Sequence, residues 1–494
     1  MHDRLKVGVL HLNIKHGAVA ENRYSLIAQA ERAAFMGARI IVAPELAISG
    51  YSFDGREDVA PYMEKVSGKT VTVLSRLARR FGVYLCFGLG EEEKETGIFY
   101  NSAVVIGPDG RLVAHHRKHV AERRWSCPGQ PSPASIFETP WGKVGLLICA
   151  DSYYGLLPRS MALQEADLLL VCANWPLAGL DPREIWRARM LENGIGVIAA
   201  NRTGLDKRMD CRNAPSYGLT PDGTVLLDAT AEDSAIHFIE YPLDGRRFPS
   251  RFRKERMTRR RPHDYNAIAL DSSGLDDFSG MWGLPAAGPI AIKCVVPPSG
   301  SHSLLDLLKK MAATLNGVHG IILLPPGVDS PPLSKLVPLT GKKALAIMME
   351  TRSSEGYIMP VLISEGRASF LSPEANSMMA DFGPARIALV RKEALSHPEQ
   401  VVALSKSGCD ILVSQTETLD DDTRLVLGVK SLERVVIAVA APDGATICEP
   451  PEGHERWRET MIGEPGVCEA VVDTARTRKK RFLDRVDLGV LLRR

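Results

Sequence analysis

Residues 143–151, with the sequence KVGLLICAD, form an apolar run that ends in a cysteine and an aspartate. A continuous apolar run of this length is typical of a strand buried on both faces, as in a sheet covered by helices. In such sheets, ligands bind beyond the carboxyl ends of the strands. Cys149 is therefore a candidate nucleophile, although free cysteine is more often an inert buried side chain.

Two further apolar runs also end in residues with reactive side chains. Residues 38–45 (ARIIVAPE) end in Glu45, and residues 111–118 (RLVAHHRK) end in Lys118. A carboxylate, an ammonium group and a thiol thus each follow a predicted strand. This pattern favours the catalytic interpretation of Cys149, because a thiol needs an adjacent base and a positive neighbour to become a useful nucleophile.

The composition of the chain limits the class of protein. Its 494 residues are enough for two or three domains, and the balance of 61 basic and 59 acidic residues argues against a general nucleic-acid or membrane-surface role. No apolar run reaches the roughly 18 residues of a membrane span, so we expect a soluble, cytoplasmic protein. The nine cysteines lack a framework spacing and suit reduced thiols. We expect neither a metal ion nor another cofactor.

Strand and helix patterns alternate along the first half of the chain. The predicted strands are 6–12, 38–45, 83–90, 100–106, 112–116, 143–151, 168–172 and 196–200, and the predicted helices are 22–36, 71–81, 157–164 and 182–193. The sequence PDG at 108–110 predicts a tight hairpin turn. Hairpins mixed with crossovers indicate a layered α/β fold.

The three reactive residues and their neighbours resemble the nitrilase superfamily of carbon–nitrogen hydrolases. The Glu-Lys-Cys triad of that superfamily lies in the contexts PE, RK and C, which Glu45, Lys118 and Cys149 match in the same order. Further matching segments are SGY at 49–51, YNSA at 100–103, PDG at 108–110, PG at 128–129, ADLLLVCANWP from Ala166 and RARMLENGIGVIAANRTG from Arg187. The resemblance implies a four-layer αββα sandwich that hydrolyses a small non-peptide amide through a cysteine thioester.

The resemblance also implies a role for each site residue. Glu45 would be the general base and Cys149 the nucleophile, and Lys118 and the backbone N–H of Ala150 would stabilise the oxyanion. Glu122 would orient the lysine or the substrate, although an isolated glutamate in a charged loop is more often a surface residue. The candidates for the walls of the substrate pocket are Tyr51, Trp125, Tyr153, Tyr154, Asn174 and Trp175.

The residues after Cys149 bear on the substrate. True nitrilases of the superfamily usually carry Trp-Glu there, whereas this chain carries Ala150 and Asp151, which favours an amide over a nitrile. Where many relatives have Pro-Glu, this chain has Pro158 and Arg159, so Arg159 is expected to be either exposed or in contact with a substrate carboxylate. Three functions remain: an amidase or carbamoyl-amide hydrolase, a nitrilase, and a non-hydrolytic binding or scaffold protein.

The second half of the chain repeats the order of the first. Residues 291–326 restate 6–45, residues 386–390 align with 143–147, residues 409–414 with 166–171, and residues 432–444 with 192–204. We therefore expect a catalytic domain at 1–271, a linker at 272–289 and a second nitrilase-like domain at 290–494. The basic segment 246–261 would close the first domain, and such a segment is otherwise typical of a solvated surface.

The second copy lacks the reactive residues of the first. In the ungapped alignments Pro326 takes the place of Glu45 and Lys392 that of Cys149, and no residue matches Lys118 convincingly. We expect this copy to be structural, and to supply within one chain the partner with which the family commonly dimerises. The alternative is an independent ligand-sensing or interaction domain, and further homo-oligomers stay open.

Overall fold

The computed structural model describes residues 4–271, 278–298, 304–315, 317–328, 331–341, 344–352, 358–453, 455–480, 482 and 485–493. It divides into two compact units, Met1–Arg259 with Arg485–Leu491, and Arg260–Asp484 with Leu492–Arg494. This division falls earlier than the linker expected at 272–289. Within that segment Phe278–Trp282 is a short helix, and residues 272–277 lie outside the described part of the chain.

Two sheets form the centre of the first unit. Its strands are β1 (Arg4–Asn13), β2 (Ile40–Val42), β3 (Tyr84–Glu92), β4 (Phe99–Ile106), β5 (Leu112–Arg117), β6 (Ile136–Thr139), β7 (Gly142–Ile148), β8 (Ala166–Cys172), β9 (Gly196–Ala200), β10 (Arg202–Thr203), β11 (Ser216–Leu219), β12 (Val225–Ala229) and β13 (Ala235–Pro242). One sheet has the order β10-β1-β2-β3-β4-β5 with β13 also on β1, and the other has the order β12-β11-β9-β8-β7-β6.

Helices cover the outer faces of both sheets. They are α1 (Val19–Phe35), α2 (Arg56–Val59), α3 (Lys69–Phe81), α4 (Leu156–Leu163), α5 (Pro182–Asn193) and α6 (Arg251–Thr258). Val7 and Val9 of β1 lie in the core between the sheets, whereas Leu10 lies in the core beneath α1 and α3. Successive side chains of a strand point to opposite faces, so a strand between two apolar layers must be apolar throughout. This requirement explains the continuous apolar runs in the sequence.

The second unit repeats this architecture. Its strands are β14 (Pro289–Val296), β15 (His319–Leu323), β16 (Leu345–Arg352), β17 (Ile358–Ser364), β18 (Arg367–Phe370), β19 (Ser377–Phe382), β20 (Ala385–Val390), β21 (Ile411–Gln415), β22 (Val436–Ala441), β23 (Gly444–Glu449), β24 (Arg458–Ile462) and β25 (Gly466–Asp473), and its helices are α7 (Phe278–Trp282), α8 (Leu304–Ala313), α9 (Leu333–Gly341), α10 (Lys392–Leu395), α11 (Pro398–Lys406) and α12 (Asp421–Ser431). Its sheets have the orders β25-β14-β15-β16-β17-β18 and β24-β23-β22-β21-β20-β19. The expected four-layer αββα sandwich in two tandem copies is confirmed.

Strand register relates single positions of the two units. In the sheet that carries Cys149, the pairs Leu146–Leu170 and Leu168–Gly196 of the first unit match the pairs Leu389–Val413 and Ile411–Val436 of the second. This register agrees with the ungapped alignment of the sequence. Lys392 therefore occupies the position of Cys149.

The other sheet gives the remaining equivalences. The N–H of Ala43 donates to the oxygen of Cys86 (2.8 Å), and the N–H of Leu324 donates in the same way to the oxygen of Met348 (3.0 Å). These two bonds make Ala43 equivalent to Leu324 and Cys86 equivalent to Met348. The strand pairing then extends the match to four further pairs: Glu45 with Pro326, Gly88 with Glu350, Asn101 with Ile358, and Lys118 with Pro373. The register thus supplies the match for Lys118 that the sequence alone does not reveal.

Other boundaries differ from those predicted. Strand β7 ends at Ile148, and Cys149–Tyr153 forms a 3-10 turn. Strands β6 and β10–β13 were not expected. The basic segment 246–261 is not simply a solvated surface: Arg253 is buried, with its Nε 3.0 Å from Asp167, and the Nε of Arg260 lies 2.7 Å from Glu399.

The end of the chain returns to the first unit. Helix α13 (Leu488–Leu491) packs on α4, and the Nδ1 atom of His119 lies 3.0 Å from the backbone oxygen of Arg485. The nine cysteines are free thiols, as the sequence predicts. Among the described residues, no helix combines the length and the apolar character needed to cross a membrane.

Candidate active site

Glu45, Lys118 and Cys149 follow three strands whose ends lie together in the first unit. Glu45 comes three residues after β2, Lys118 directly after β5, and Cys149 directly after β7. The Nζ atom of Lys118 lies 2.7 Å from Oε1 of Glu45, and both side chains are almost fully buried. The charges of both groups act on the Cys149 thiol, and Cys149 itself keeps 8% of its surface exposed. A carboxylate, an ammonium group and a thiol thus occupy one site.

Glu122 belongs to the same cluster rather than to the surface. Its Oε1 atom pairs with Lys118 and accepts a hydrogen bond of 2.9 Å from the hydroxyl of Tyr51. Its exposed fraction is 8%. Lys118 is therefore held between two carboxylates, one from Glu45 and one from Glu122.

Asn101 joins these two carboxylates and was not identified as a site residue from the sequence. Its Nδ2 atom donates to Oε1 of Glu45 (2.7 Å) and to Oε2 of Glu122 (3.1 Å), and its side chain is fully buried. The available signal was an amide inside the strand motif YNSA, because a buried polar side chain needs hydrogen-bond partners. The backbone N–H of Lys118 also donates to the oxygen of Asn101 (2.8 Å).

The electrostatics of the cluster favour a neutral thiol and a glutamate that titrates near neutrality. Burial raises the pKa of Glu45 to about 7, against the opposing effect of Lys118. Burial alone would lower the pKa of Lys118, but Glu122 and Glu45 outweigh it and raise that pKa well above its usual value. Burial, together with the charge of Glu45, raises the pKa of the Cys149 thiol well above its usual range. Of the Glu45, Lys118 and Cys149 side chains, Glu45 is therefore the one whose charge changes near neutral pH.

The backbone is strained at both reactive turns. Cys149 has φ of +45°, and Leu46, which follows Glu45, has φ of +46°. A non-glycine residue in this region costs on the order of 1–3 kcal/mol and persists only where the surroundings fix it. Such outliers are concentrated at functional sites, and here they flank the proposed base and nucleophile.

Asp151 fixes the turn after Cys149, a role that was not predicted from the sequence. Its carboxylate accepts hydrogen bonds from the backbone N–H groups of Ile148 (3.1 Å), His119 (3.0 Å) and Val120 (3.0 Å), and it lies 2.9 Å from Nε2 of His116. Burial alone would raise the pKa of Asp151, but the hydrogen bonds from His116 and the backbone lower it. Asp151 thus ties the Cys149 turn to the segment that carries Lys118.

The structure places the predicted pocket residues in different surroundings. Tyr51 lies over the cluster, with Nζ of Lys118 5.7 Å from its ring centroid, and Trp125 packs in the apolar cluster beside it. The backbone N–H of Asn174 donates to Cys149, whereas its side-chain oxygen accepts from Nε of Arg202 at 2.7 Å.

The remaining pocket candidates form aromatic pairs. The rings of Tyr153 and Tyr154 lie 5.4 Å apart in the turn that begins at Cys149, which also contains Ala150. The ring of Trp175 lies 6.1 Å from that of Trp186, and its Nε1 donates to the oxygen of Leu180 at 3.2 Å. Their contact with a substrate stays a prediction.

The expectation that Arg159 is exposed is wrong. The residue is fully buried in α4, with its Nε 2.8 Å from Oδ1 of Asn193 and its Nη2 2.8 Å from the backbone oxygen of Glu192. Its guanidinium therefore joins α4 to the end of α5, where a buried positive charge needs such acceptors. These contacts give Arg159 a structural role, and its contact with a substrate carboxylate stays a prediction.

Comparisons with known proteins agree with this arrangement. The model of the carbon-nitrogen hydrolase family matches residues 6–244. A probable nitrilase of Schizosaccharomyces pombe is 36% identical over 214 residues, which are 42% of this chain and 75% of that protein. An omega-amidase of Xenopus laevis is 31% identical over 227 residues, covering 42% of this chain and 78% of its own length.

Among solved structures, a carbon-nitrogen hydrolase of Helicobacter pylori aligns with 54% of this chain and 98% of its own, at 23% identity and a TM-score of 0.47. By the family model and the two sequence relatives, the chain belongs to the carbon–nitrogen hydrolase family of the nitrilase superfamily. It is a hydrolase of carbon–nitrogen bonds other than peptide bonds. Among the described residues, no group of three or more His, Cys, Asp or Glu side chains is arranged to hold a metal ion.

Proposed function

We propose that the first unit hydrolyses a small non-peptide amide or carbamoyl amide through a thioester on Cys149. The observation that supports this proposal best is the convergence of Glu45, Lys118 and Cys149 in one nearly closed site. The sequence order Ala150-Asp151 supports an amide, because Asp151 is committed to His116 and the backbone and has no freedom to contact a substrate.

The first half-reaction forms the thioester. Glu45 takes the proton of the Cys149 thiol as the sulfur attacks the amide carbon, and the carbonyl oxygen becomes an oxyanion. Lys118 and the backbone N–H of Ala150 stabilise that oxyanion, each donor contributing on the order of 3 kcal/mol. Glu45 then gives its proton to the departing nitrogen, the carbon–nitrogen bond breaks, and ammonia or an amine leaves.

The second half-reaction releases the acid. Glu45 removes a proton from a water molecule, whose oxygen attacks the thioester carbon. The oxyanion forms again beside Lys118, the carbon–sulfur bond breaks, and the sulfur recovers the proton from Glu45. A pKa of about 7 suits a group that must both accept and donate a proton near neutral pH.

Glu122, Asn101 and Tyr51 support these steps by positioning. Glu122 shares Lys118 with Glu45, which keeps the lysine charged, and Asn101 holds both carboxylates at fixed distances. A charged hydrogen bond of this kind contributes about 1.5–3 kcal/mol. We infer that Glu122 aims the ammonium at the oxyanion.

A nitrilase is the second candidate function, since one sequence relative is named a probable nitrilase. We further propose that the second unit has no hydrolytic activity, because Pro326, Pro373 and Lys392 stand where the first unit has its reactive residues. That the second unit replaces a dimer partner, and that the protein is cytoplasmic, stay predictions.

The test uses intact-protein mass spectrometry of the full chain mixed with a panel of small amides, carbamoyl amides and nitriles, together with an assay for released ammonia. We expect an acyl adduct on Cys149 whose mass identifies the acyl group, and ammonia from an amide or carbamoyl amide. The matched variants are Cys149→Ala, which should give neither signal, and Cys127→Ala, which should give both.

Three results would count against the proposal. Turnover of nitriles alone would favour the nitrilase. Ammonia release that persists in a folded Cys149→Ala protein would place the nucleophile elsewhere. Binding of amides without an adduct or ammonia would favour a non-hydrolytic protein.

A further inference from the structure

The second unit contains a cavity of about 240 Å³ at the carboxyl ends of its strands. Lys392, which occupies the position of Cys149, lines it, and so does Glu350, which occupies the position of Gly88. The cavity therefore lies where the first unit has its reactive cluster, but its chemistry is different. It is smaller than the roughly 300–1,000 Å³ of sites for drug-sized ligands, which suits a small metabolite.

The cavity offers two hydrogen-bond acceptors, and one of them, Oε1 of Gln415, has no partner among the described residues. Gln415 is 7% exposed, its Nε2 atom donates to the oxygen of Leu324 at 2.6 Å, and its Oε1 atom has no partner within the described residues. The half-buried carboxylate of Glu350 accepts from the backbone N–H of Gly327, and burial raises its pKa. A buried acceptor without a partner is costly, so the cavity favours a ligand that brings N–H donors.

The cavity also offers cations. Nζ of Lys392 lies 2.6 Å from Oε1 of Glu417, and the side chains of the two residues are 39% and 77% exposed. An exposed pair of this kind contributes at most about 1 kcal/mol, so a ligand carboxylate can share the ammonium at little cost. The guanidinium of the neighbouring Arg391 is fixed by the oxygens of Ala375 (2.9 Å) and Ser372 (3.0 Å).

Apolar side chains form part of the cavity wall. Met348, Ile358, Pro360 and Val390 line the cavity together with the polar groups. Glu350, Lys392 and Gln415 all line this one cavity of about 240 Å³, so one small molecule can reach its acceptors and its ammonium group together. A ligand that fits needs an ammonium group, a carboxylate and a short apolar chain.

We propose that this cavity binds an α-amino acid with an aliphatic side chain. Its ammonium group meets Glu350 and Oε1 of Gln415, its carboxylate meets Lys392, and its side chain lies against Met348 and Val390. The proposal is independent of the reaction assigned to the first unit, because it concerns only groups of the second.

Calorimetry of the full-length protein tests this chemistry with three related probes: L-norleucine, hexanoate, which is norleucine without its amino group, and pentylamine, which is norleucine without its carboxylate. We expect one L-norleucine per chain and at least about tenfold weaker binding of the other two, because each lacks one charged hydrogen-bonding end. The variants Glu350→Gln and Lys392→Met should each weaken L-norleucine binding by about tenfold or more. Lys310→Met, which removes an exposed lysine outside the cavity, should bind as the unchanged protein does.

A second measurement needs no variant and locates the ligand. Light activation of an aliphatic α-amino acid that carries a diazirine, followed by peptide mass spectrometry, should label peptides containing Met348, Ile358 or Val390. Labelling confined to peptides of the first unit would overturn the proposal. So would saturable L-norleucine binding that Glu350→Gln and Lys392→Met leave unchanged, or an absence of binding at millimolar concentration.

Discussion

The two units place different side chains on the same framework. At equivalent strand ends the first unit carries Glu45, Lys118 and Cys149, and the second carries two prolines and a lysine. Both units keep the same strand order, and both bury an apolar core between their sheets. The strand interiors therefore specify the sandwich, whereas the residues just beyond the strand ends specify the chemistry. The residues beyond the strand ends can therefore change while the strand interiors, and with them the fold, are kept.

Gly88 and Glu350, which occupy equivalent positions, show that backbone packing also differs between the two units. A Cβ atom at Gly88 would lie 2.5 Å from the Cα of Glu45 and from the N of Leu46, so a side chain there is incompatible with the strained Glu45 turn. In the second unit Pro326 takes the place of Glu45. Glu350 takes the place of Gly88, and its side chain lines the cavity. The space that one unit uses for a reactive turn is used by the other for a ligand-facing carboxylate.

The largest expected effect is the loss of the nucleophile. Cys149→Ala should lower the rate of hydrolysis of the full chain by roughly 10⁴-fold or more, because the second unit supplies no alternative nucleophile. Steady-state kinetics on the amide identified by mass spectrometry measures this loss, and circular dichroism checks the fold. Residual hydrolysis by the second unit would contradict the proposal that only the first unit is catalytic.

The pH dependence of hydrolysis tests the role of Glu45. The base works in its deprotonated form, so kcat/KM should rise with pH through a value near 7, the raised pKa of Glu45. Glu45→Gln removes the base and should lower kcat/KM by about 10²–10⁴-fold and abolish that rise. A rise of kcat/KM through pH 7 that persists in the Glu45→Gln protein would assign the titration to another group.

Lys118 and Pro373 form a matched pair for stability. Lys118→Met leaves the buried carboxylates of Glu45 and Glu122 without their cation, which should lower the free energy of unfolding by about 3–5 kcal/mol. The loss should be smaller at pH 6 than at pH 8, because Glu45 of the unchanged protein is ionised only above its pKa of about 7, and only the ionised form is stabilised by the charge of Lys118. Pro373→Met should change stability little. Denaturant unfolding at both pH values measures the difference, and equal losses for the two variants would contradict the assignment.

The smallest effect concerns the glycine beside the Glu45 turn. Gly88→Ala should lower the free energy of unfolding by about 1–3 kcal/mol, because the new methyl group overlaps backbone atoms of the turn. Glu350→Ala, at the equivalent position, removes a side chain from a cavity and should cost less than the glycine variant. Thermal unfolding of both proteins gives the order, and the reverse order would show that the two positions are not equivalent.

Much of the fold could be predicted from the sequence. The apolar runs located β1–β5 of the first unit within a few residues, and α5 was predicted with the bounds Pro182–Asn193 that it has. In the corresponding sheet of the second unit they located β14 and β15, whereas β16, β17, β18 and β25 were not predicted. The repeat of strand order was also visible, because apolar periodicity is a local property. The two-residue strand β10 was missed because Arg202 and Thr203 form no apolar run. The five-residue strand β12 was also missed, because so short a run gives little periodic signal.

Within the candidate site, the sequence determined the types of reactive residue and their order, because each follows a recognisable strand. Only the tertiary structure decided that Asn101 joins Glu45 to Glu122, that Asp151 anchors the Cys149 turn, that Arg159 is buried, and that Pro373 matches Lys118. These facts depend on pairing between strands distant in sequence and on which polar groups are buried together. Local periodicity indicates which face of a strand is apolar, but it does not predict which residue will pair with a buried charge.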